Sequence, residues 1–282
     1  MTTKCGRRLK PHTAEMYTPE AIASFIDGSL ERLKIEKLDM VLLHCPPSPV
    51  FEMDEIFAEL DRQKQAGRIL DYGVSVEKTE DAVKAMRYDI SAVEVVFNMF
   101  RFKPLDVLFP ETQKRNIGII ARIPLASGLL TGRFTADTVF GPKDHRSYNR
   151  EGASFDKGET FAGVPYDIGL ATVEDLKQVF GTASLAPIAI RWVLMHPQVS
   201  VVIPGASRAS QVSDNVKAAE LEPLSAEQKE AVRRICAHRR TISLSKADCV
   251  FWQSCRNKAL PSTVMDETMR LTDQREQFGT KA

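Results

Sequence analysis

Cysteine is scarce in this sequence, and long apolar runs are missing from it. The 282 residues include only five cysteines, an odd number. This pattern does not fit a disulfide framework and favours a reducing, cytoplasmic location. No stretch of about 18 apolar residues is present, so we expect no membrane-spanning helix. The first residues carry charge without an apolar stretch, which is not the pattern of a signal peptide.

An excess of charge of one sign is also missing. The 38 Lys and Arg residues nearly balance the 37 Asp and Glu residues, and the formal net charge is +1. This balance gives no electrostatic basis for nucleic-acid binding. The sequence has no G-x-G-x-x-G after a predicted strand, no G-x-S-x-G, and no Cys and His spacing typical of zinc. We therefore expect no metal site, and a Rossmann-type dinucleotide site is disfavoured.

Short apolar runs alternate with helical patterns, which is typical of a parallel α/β protein. Leu38–His44 is nearly continuously apolar, as expected for a strand buried on both faces. We interpret residues 1–240 as one domain and residues 241–282 as an atypical C-terminal tail, in which the pattern allows a helix over Ser262–Arg275. Five further strands are predicted at Thr2–Lys4, Ile69–Ser75, Ala92–Phe97, Ile117–Ala121 and Val199–Ile203.

Helix start signals accompany the apolar patterns. Thr18 followed by Pro19 predicts the beginning of a helix. One further helix is predicted over Leu105–Arg115, and Ser207 is predicted to cap another. Residues 132–170 interrupt the alternation with a loop so long that it is either functional or disordered. The buried face of the first helix is predicted to contain Ile22, Ile26, Leu30 and Leu33.

The number of strands leaves two architectures open. A (β/α)₈ barrel needs eight strands and about 250 residues, so the length suffices, but only six strands are found. Six strands fit an incomplete barrel or an open doubly wound sheet. In both folds, the sites form at the carboxyl ends of the strands.

Two residues at predicted strand ends are candidates for chemistry. His44 ends its strand, and histidine is the most common general acid or base. The alternative is a structural histidine with satisfied hydrogen bonds. Lys4 ends the first strand, where it is either a solvated charge or a residue that faces His44 from the adjacent strand.

The last predicted strand leads into a candidate anion site. Gly205 allows a turn, and the next helix begins near Ser207, so its free N–H groups can bind an anion. Arg208 adds a planar guanidinium that suits phosphate. An ordinary strand-to-helix turn is the alternative at this point.

Five segments occur in this order: Val41–His44, Gly73–Ser75, Phe97–Phe100, Pro124–Arg133 and Ile203–Asn215. Together they resemble the aldo-keto reductases. The resemblance extends over about residues 2–238, and the order and spacing of the segments make it specific. The sequence is most similar to the bacterial branch that also resembles potassium-channel β subunits.

This resemblance implies a (β/α)₈ barrel that binds NADPH and reduces an aldehyde or ketone to an alcohol. In the family a Tyr donates the proton, a Lys lowers the pKa of that Tyr, an Asp pairs with the Lys, and a His orients the carbonyl. By position, Lys4 resembles the family's Lys and His44 its His.

The resemblance also implies a set of cofactor contacts. Ser75 would hold the nicotinamide carboxamide, and Arg122 would lie against the nicotinamide ring. Leu125, Ser127, Gly128 and Arg133 would line the pyrophosphate. Arg208 is expected near the 2′-phosphate, which would favour NADPH over NADH. The remaining residues at the adenosine end would be Gly205, Ser207, Gln211 and Asn215.

The sequence departs from the family pattern at its beginning. The family's Asp and Tyr precede the Lys, and two βα units, roughly 60 residues, have no counterpart before Lys4. Tyr17 does not match the family's Tyr, and Glu94 stands where a Gln is frequent. A start assigned too late and a genuine loss would both explain this difference.

Three functional hypotheses follow. The first is an NADPH-dependent carbonyl reductase with impaired activity, and the second is a non-catalytic NADPH-binding or regulatory remnant. The third is an unrelated six-stranded α/β protein. An open barrel has two unpaired edges, so we also expect self-association.

Overall fold

The computed structural model describes residues 1–237, and the predicted tail with its helix lies outside this range. The strands are β1 (Thr2–Cys5), β2 (Leu38–His44), β3 (Ile69–Val76), β4 (Ala92–Val96), β5 (Gly118–Arg122) and β6 (Val199–Ile203). The helices are α1 (Pro19–Leu33), α2 (Asp54–Gln65), α3 (Thr79–Ala85), α4 (Lys103–Val107), α5 (Phe109–Lys114), α6 (His145–Tyr148), α7 (Tyr166–Phe180), α8 (Ala186–Leu194), α9 (Ala209–Lys217) and α10 (226–237). All six predicted strands are confirmed, with bounds that differ by at most one residue at either end.

The strands form one parallel sheet in which their order follows the chain, from β1 to β6. A doubly wound sheet reverses its strand order at a switch point, whereas a barrel does not. The order therefore identifies the barrel type of α/β fold. Within residues 1–237 the barrel is not closed, because β1 and β6 each have a single neighbour.

The strand register places polar residues in a row at one end of the sheet. His44 pairs with Ser75, and Ser75 pairs with Glu94. Lys4 pairs with Leu42, two residues before His44. Most apolar residues of β2 to β5 lie in the core, which holds this row in place.

The first helix begins as predicted. The Thr18 side chain accepts a hydrogen bond from the N–H of Ala21, at 3.2 Å. Ile22 and Ile26 are buried, but Leu33 is 39% exposed. The predicted burial of Leu33 is wrong because α1 ends there, and Lys34 adopts a left-handed conformation that turns the chain away.

The helix predicted over Leu105–Arg115 is instead two short helices. It begins earlier, at Lys103, and is interrupted between α4 and α5 at Leu108. Pro110 has no N–H and occupies the first turn of α5. Because proline fits the start of a helix and not its interior, the chain breaks one helix and begins another.

The long loop is ordered around one buried side chain. Asn149 is 0% exposed, and its carbonyl oxygen accepts hydrogen bonds from the N–H groups of Ser154 and Phe155. Its amide donates to Phe155 O and to Thr160 Oγ1. All the hydrogen bonds that a buried amide requires are therefore made inside the loop.

Large apolar side chains are exposed on the last strand and the helix after it. Val201 and Ile203 of β6 are 46% and 41% exposed, and Val212 and Val216 of α9 are 54% and 63% exposed. None of the helices in residues 1–237 is long and apolar enough to cross a bilayer.

We predict that this chain self-associates through its open sheet edges, because an unpaired edge strand is a template for pairing with a second copy. Val201→Lys introduces a charge at the β6 edge and is expected to shift the protein towards the monomer by about tenfold or more in dissociation constant. Sedimentation velocity at micromolar concentration measures this shift.

Leu70→Lys is the matched control, since Leu70 is 53% exposed but lies on the inner strand β3. It is expected to leave the association unchanged. A wild-type monomer with one sharp melting transition would contradict the prediction.

Candidate active site

A cavity of about 760 Å³ lies at the carboxyl ends of the strands. Because parallel strands end at the same edge, side chains from distant parts of the sequence meet there. Lys4 comes from β1, Glu94 from β4 and Arg122 from β5. Of the predicted cofactor residues, the cavity is also lined by Leu125, Ser127, Gly128, Arg133, Gly205, Ser207 and Gln211.

Glu94 is the central charge of this site. Its side chain is 3% exposed, and Oε1 lies 2.6 Å from Lys4 Nζ and 3.8 Å from Arg122 Nε. The Ser75 hydroxyl donates to the same oxygen at 3.1 Å. A buried carboxylate needs such partners, because burial of an unpaired charge is costly. Glu94 is therefore the carboxylate that pairs with Lys4 in this chain.

His44 lines a second cavity together with Lys4, as the proximity of their strand ends predicts. Burial lowers the pKa of His44 to about 4, and the positive charges of Lys4 and Arg7 act in the same direction. At neutral pH the imidazole is uncharged, so it can donate a hydrogen bond but holds no extra proton to give away.

Arg122 is held firmly in place. Its Nη2 donates to Val76 O at 3.0 Å and lies 3.0 Å from Glu159 Oε1. A weaker contact of 3.7 Å reaches the sulfur of Cys45. Its Nε is buried and has no hydrogen-bond partner within residues 1–237. The guanidinium that the resemblance places against a nicotinamide ring thus has one donor atom left inside the cavity wall.

Three potential metal ligands lie beside this arginine. The ligand atoms of Cys45, Glu77 and Glu159 are within 4.8 Å of one another. However, Arg7 pairs with Glu77 and Arg122 pairs with Glu159. Burial raises the pKa of the Cys45 thiol. Cations already balance the two carboxylates, so the cluster is organised as an ion-pair network.

Ser127 connects the strand end to the long loop. Its hydroxyl donates to Glu159 O at 3.0 Å and accepts from Phe161 N at 3.2 Å. Ser127 and Gly128 have φ values of 56° and 99°, which turn the chain sharply after β5. The turn leaves both residues at the cavity surface.

The helix start after β6 is arranged differently from the prediction. Helix α9 begins at Ala209 with Arg208 at its N-cap, so Ser207 is not the cap. The amide oxygen of Gln211 instead accepts from the N–H groups of Ser207 and Arg208, at 2.8 and 3.1 Å. An anion at this point would replace that oxygen and accept the same hydrogen bonds.

Four of the predicted site residues lie outside the first cavity. Ser75 is fully buried beneath it, and His44 lies in the second cavity. Arg208 is exposed at the start of α9. Asn215 lines a neighbouring cavity of about 390 Å³ that also contains Leu125, Arg133, Gly205 and Gln211.

None of the five tyrosines lines the cavities that contain Lys4. Tyr17 is 1% exposed, and its hydroxyl contacts His12 Nε2 at 2.9 Å. Burial raises the pKa of Tyr17. Tyr72 and Tyr88 bond to Asp61 and Asp54 instead.

The long loop supplies site residues to which the sequence assigned no role. Glu159 reaches Arg122, and Arg146 lies over the Phe140 ring at 4.6 Å from its centre. Phe134 and Phe155 also line the first cavity. The unusual length of the loop was the only available signal for these contacts.

The ordered strands and the polar cavity at their carboxyl ends define a barrel-type α/β protein whose site is assembled from strand ends and loops. The family model described as Aldo/keto reductase family matches residues 1–237, and the chain belongs to this family.

Comparison with individual proteins agrees with this assignment. The chain is 30% identical over 200 residues to L-glyceraldehyde 3-phosphate reductase of Escherichia coli K12, a match that covers 68% of this chain and 56% of that protein. It is 29% identical over 208 residues to a probable voltage-gated potassium channel subunit beta of Arabidopsis thaliana, covering 70% and 61%. The chain thus spans a little over half the length of these relatives.

Solved structures show the same fold. Glycerol dehydrogenase from Gluconobacter oxydans superposes with a TM-score of 0.65 at 28% identity, covering 79% of this chain and 65% of that one. An aldo-keto reductase from Bacillus halodurans in its holo form gives a TM-score of 0.63 at 24% identity, covering 83% and 70%.

Glu94→Gln is predicted to destabilise the protein. The change keeps the shape of the side chain but leaves Lys4 and Arg122 without the negative charge between them. Because Lys4 is 31% exposed and can partly regain water, we expect a loss of about 1–3 kcal/mol in the free energy of unfolding. Urea denaturation measures this loss.

Glu80→Gln is the matched control, since Glu80 pairs with Lys103 at the surface and both side chains are more than half exposed. It is expected to change the stability by less than about 0.5 kcal/mol. Equal losses of unfolding free energy for the two substitutions would contradict the importance of the buried Glu94 charge for stability.

His44 is predicted to remain uncharged down to about pH 4 in the folded protein. In the unfolded chain its pKa is near 6.5, so the unfolded state binds the proton more readily between these values. The contribution of His44 to stability therefore falls as the pH is lowered from about 6.5 to about 4. An NMR titration of the imidazole follows this directly.

The urea-unfolded protein is the reference, in which the same imidazole should titrate near pH 6.5. His44→Asn should flatten the pH dependence of the unfolding free energy in this range. A folded-state titration near 6.5 would contradict the prediction.

Proposed function

We propose that this chain binds NADPH and reduces a small aldehyde or ketone to an alcohol, at a rate below that of a protein with a tyrosine donor. The observation that supports this proposal is the cavity at the strand ends. It joins Lys4 and its partner Glu94 to the residues that the family resemblance assigns to the cofactor.

The residues present fit a dinucleotide. Ser127, Gly128 and Arg133 would hold the pyrophosphate, and Ser207, Arg208 and Gln211 the adenosine end, where backbone N–H groups already bind an oxygen. The Ser75 hydroxyl donates to Glu94. Ser75 would therefore contact the carboxamide only if its hydroxyl kept this hydrogen bond and also accepted one from the cofactor. The bound cofactor supplies a hydride for the carbonyl carbon.

The protein's own contribution is a charged and polar surface for the carbonyl oxygen. Lys4 presents an ammonium group, and uncharged His44 presents a ring N–H. Both would stabilise the negative charge that develops on that oxygen. The proton that completes the alcohol would come from the Lys4 ammonium group or from water. The five tyrosines all lie elsewhere, so the general acid that contributes about 10²–10⁴-fold has no tyrosine to supply it.

The absence of a tyrosine from the cavities that contain Lys4 also favours a second candidate function. A chain that binds NADPH but lacks the tyrosine donor would be a cofactor-binding or regulatory module. Potassium channel β subunits among the relatives are by name channel subunits, which makes a regulatory role a reasonable alternative for this chain.

The choice of NADPH rests on Arg208 and on one relative. Arg208 is exposed at the start of α9, where a guanidinium can bind a 2′-phosphate. A relative from Schizosaccharomyces pombe, 25% identical over 248 residues, has NADP(+) in its name. The free cysteines Cys5 and Cys45 accord with the proposed reducing, cytoplasmic location.

Cofactor binding is tested by fluorescence titration of the full chain. We expect NADPH to bind more tightly than NADH, and Arg208→Met to weaken NADPH binding by about tenfold or more while NADH binding changes little. Equal loss for both cofactors would contradict the role of Arg208. Absence of binding by either cofactor would overturn both candidate functions.

Turnover separates the two functions. Slow oxidation of NADPH with an aromatic aldehyde, lost in Lys4→Met, would support the reductase. Cofactor binding without turnover would support the cofactor-binding module.

A further inference from the structure

The second cavity, with a volume of about 620 Å³, is rich in positive charge. It lies beside the end of β1, between that strand and α1, and Lys4 lines both this cavity and the first one. Its lining contains Arg7, Arg8 and Arg32 as well as His44, and no aspartate or glutamate. The cavity therefore adjoins the carbonyl position of the proposed reaction and has a cationic wall.

Two of its cations have no carboxylate partner within residues 1–237. Lys4 pairs with Glu94, and Arg7 pairs with Glu77 at 3.3 Å. Arg8 and Arg32 form no such ion pair in that part of the chain. Two guanidinium charges thus remain for an anion from solution.

The sequence of α1 leaves space for one of these guanidinium groups. Ser24, Gly28 and Arg32 are four residues apart and share one face of the helix. A Cβ at position 28 would lie 2.8 Å from Arg32 Nη1. Glycine therefore lets the guanidinium fold back along the helix, and Arg32 and Ser24 both line the cavity.

The lowered pKa of His44 is consistent with the positive charge of this cavity. Burial is the largest cause of this lowering, and the charges of Lys4, Arg7 and Arg122 add to it. The charge of Glu94 acts in the opposite direction. The imidazole thus lies in a positive environment that would also attract an anionic substrate.

We propose that the second cavity binds the phosphate group of a phosphorylated short-chain aldehyde, whose carbonyl would lie at Lys4 and His44. This inference rests on the proposed reductase function for the substrate's reaction, but not for its binding. A phosphate monoester carries a charge of about −1.5 to −2 at pH 7, which matches two free guanidinium groups. The planar donor fork of arginine suits phosphate oxygens.

Calorimetric titration of the full chain tests the site without any reaction. The probes are glycerol 3-phosphate, which is not an aldehyde, and uncharged glycerol. We expect the phosphate ester to bind and glycerol not to. Arg8→Met combined with Arg32→Met should weaken the binding of the ester by about tenfold or more, because charge-assisted hydrogen bonds are lost.

Two control variants locate the bound ester. Arg234→Met removes an exposed arginine of α10 and should leave binding unchanged. Arg208→Met tests the other predicted anion site, and a larger loss there than in the Arg8 and Arg32 double variant would overturn the proposal. Equal binding of ester and glycerol would overturn it as well.

A reactive pair of probes separates this inference from the proposed function. If the protein is a reductase, glycolaldehyde phosphate should have a KM at least about tenfold below that of glycolaldehyde, and the double variant should remove the difference. Binding of glycerol 3-phosphate without turnover of either aldehyde would support the phosphate site and refute the reductase. Turnover with equal KM values and no binding of the ester would do the reverse.

Discussion

The ion pair between Lys4 and Glu94 is the interaction on which the site depends. The two residues are 90 positions apart and meet at 2.6 Å because three parallel strand pairings connect β1 to β4. Glu94 also accepts the Ser75 hydroxyl and approaches Arg122. One buried carboxylate therefore compensates charge from two strands, and its loss would leave Lys4 without a carboxylate partner among residues 1–237.

The network of charged contacts continues from Glu94 through Arg122 to the long loop. The Arg122 guanidinium bonds to Glu159 in the long loop, and Ser127 bonds to the backbone of that residue. The loop is thereby tied to the end of β5 by one ion pair, and to the turn after it by two hydrogen bonds of the Ser127 hydroxyl. Asn149 satisfies the interior of the loop. The wall of the first cavity is thus held by polar contacts that a dinucleotide would have to accommodate.

The sequence predicted the fold better than it predicted the site. Leu38–His44 was recognisable because a strand covered on both faces is continuously apolar. The break at Leu108 had a visible signal in Pro110, which the prediction of one helix over Leu105–Arg115 did not use. Lys4 and His44 were identifiable as strand ends. The carboxylate partner of Lys4 was not, because Glu94 reaches it only through the strand register. The partner of Arg122 was not, because Glu159 depends on the path of a loop without periodicity.

The strand order has a consequence for how the molecule is made. Each strand pairs with the one that precedes it in the chain, so every new strand leaving the ribosome finds its neighbour already synthesised. The sheet can grow in one direction, without waiting for a distant segment. Its newest strand is always an open edge, and β6 keeps that character in the described part of the chain. Assembly from the amino end and exposure of the final edge are therefore two results of the same topology.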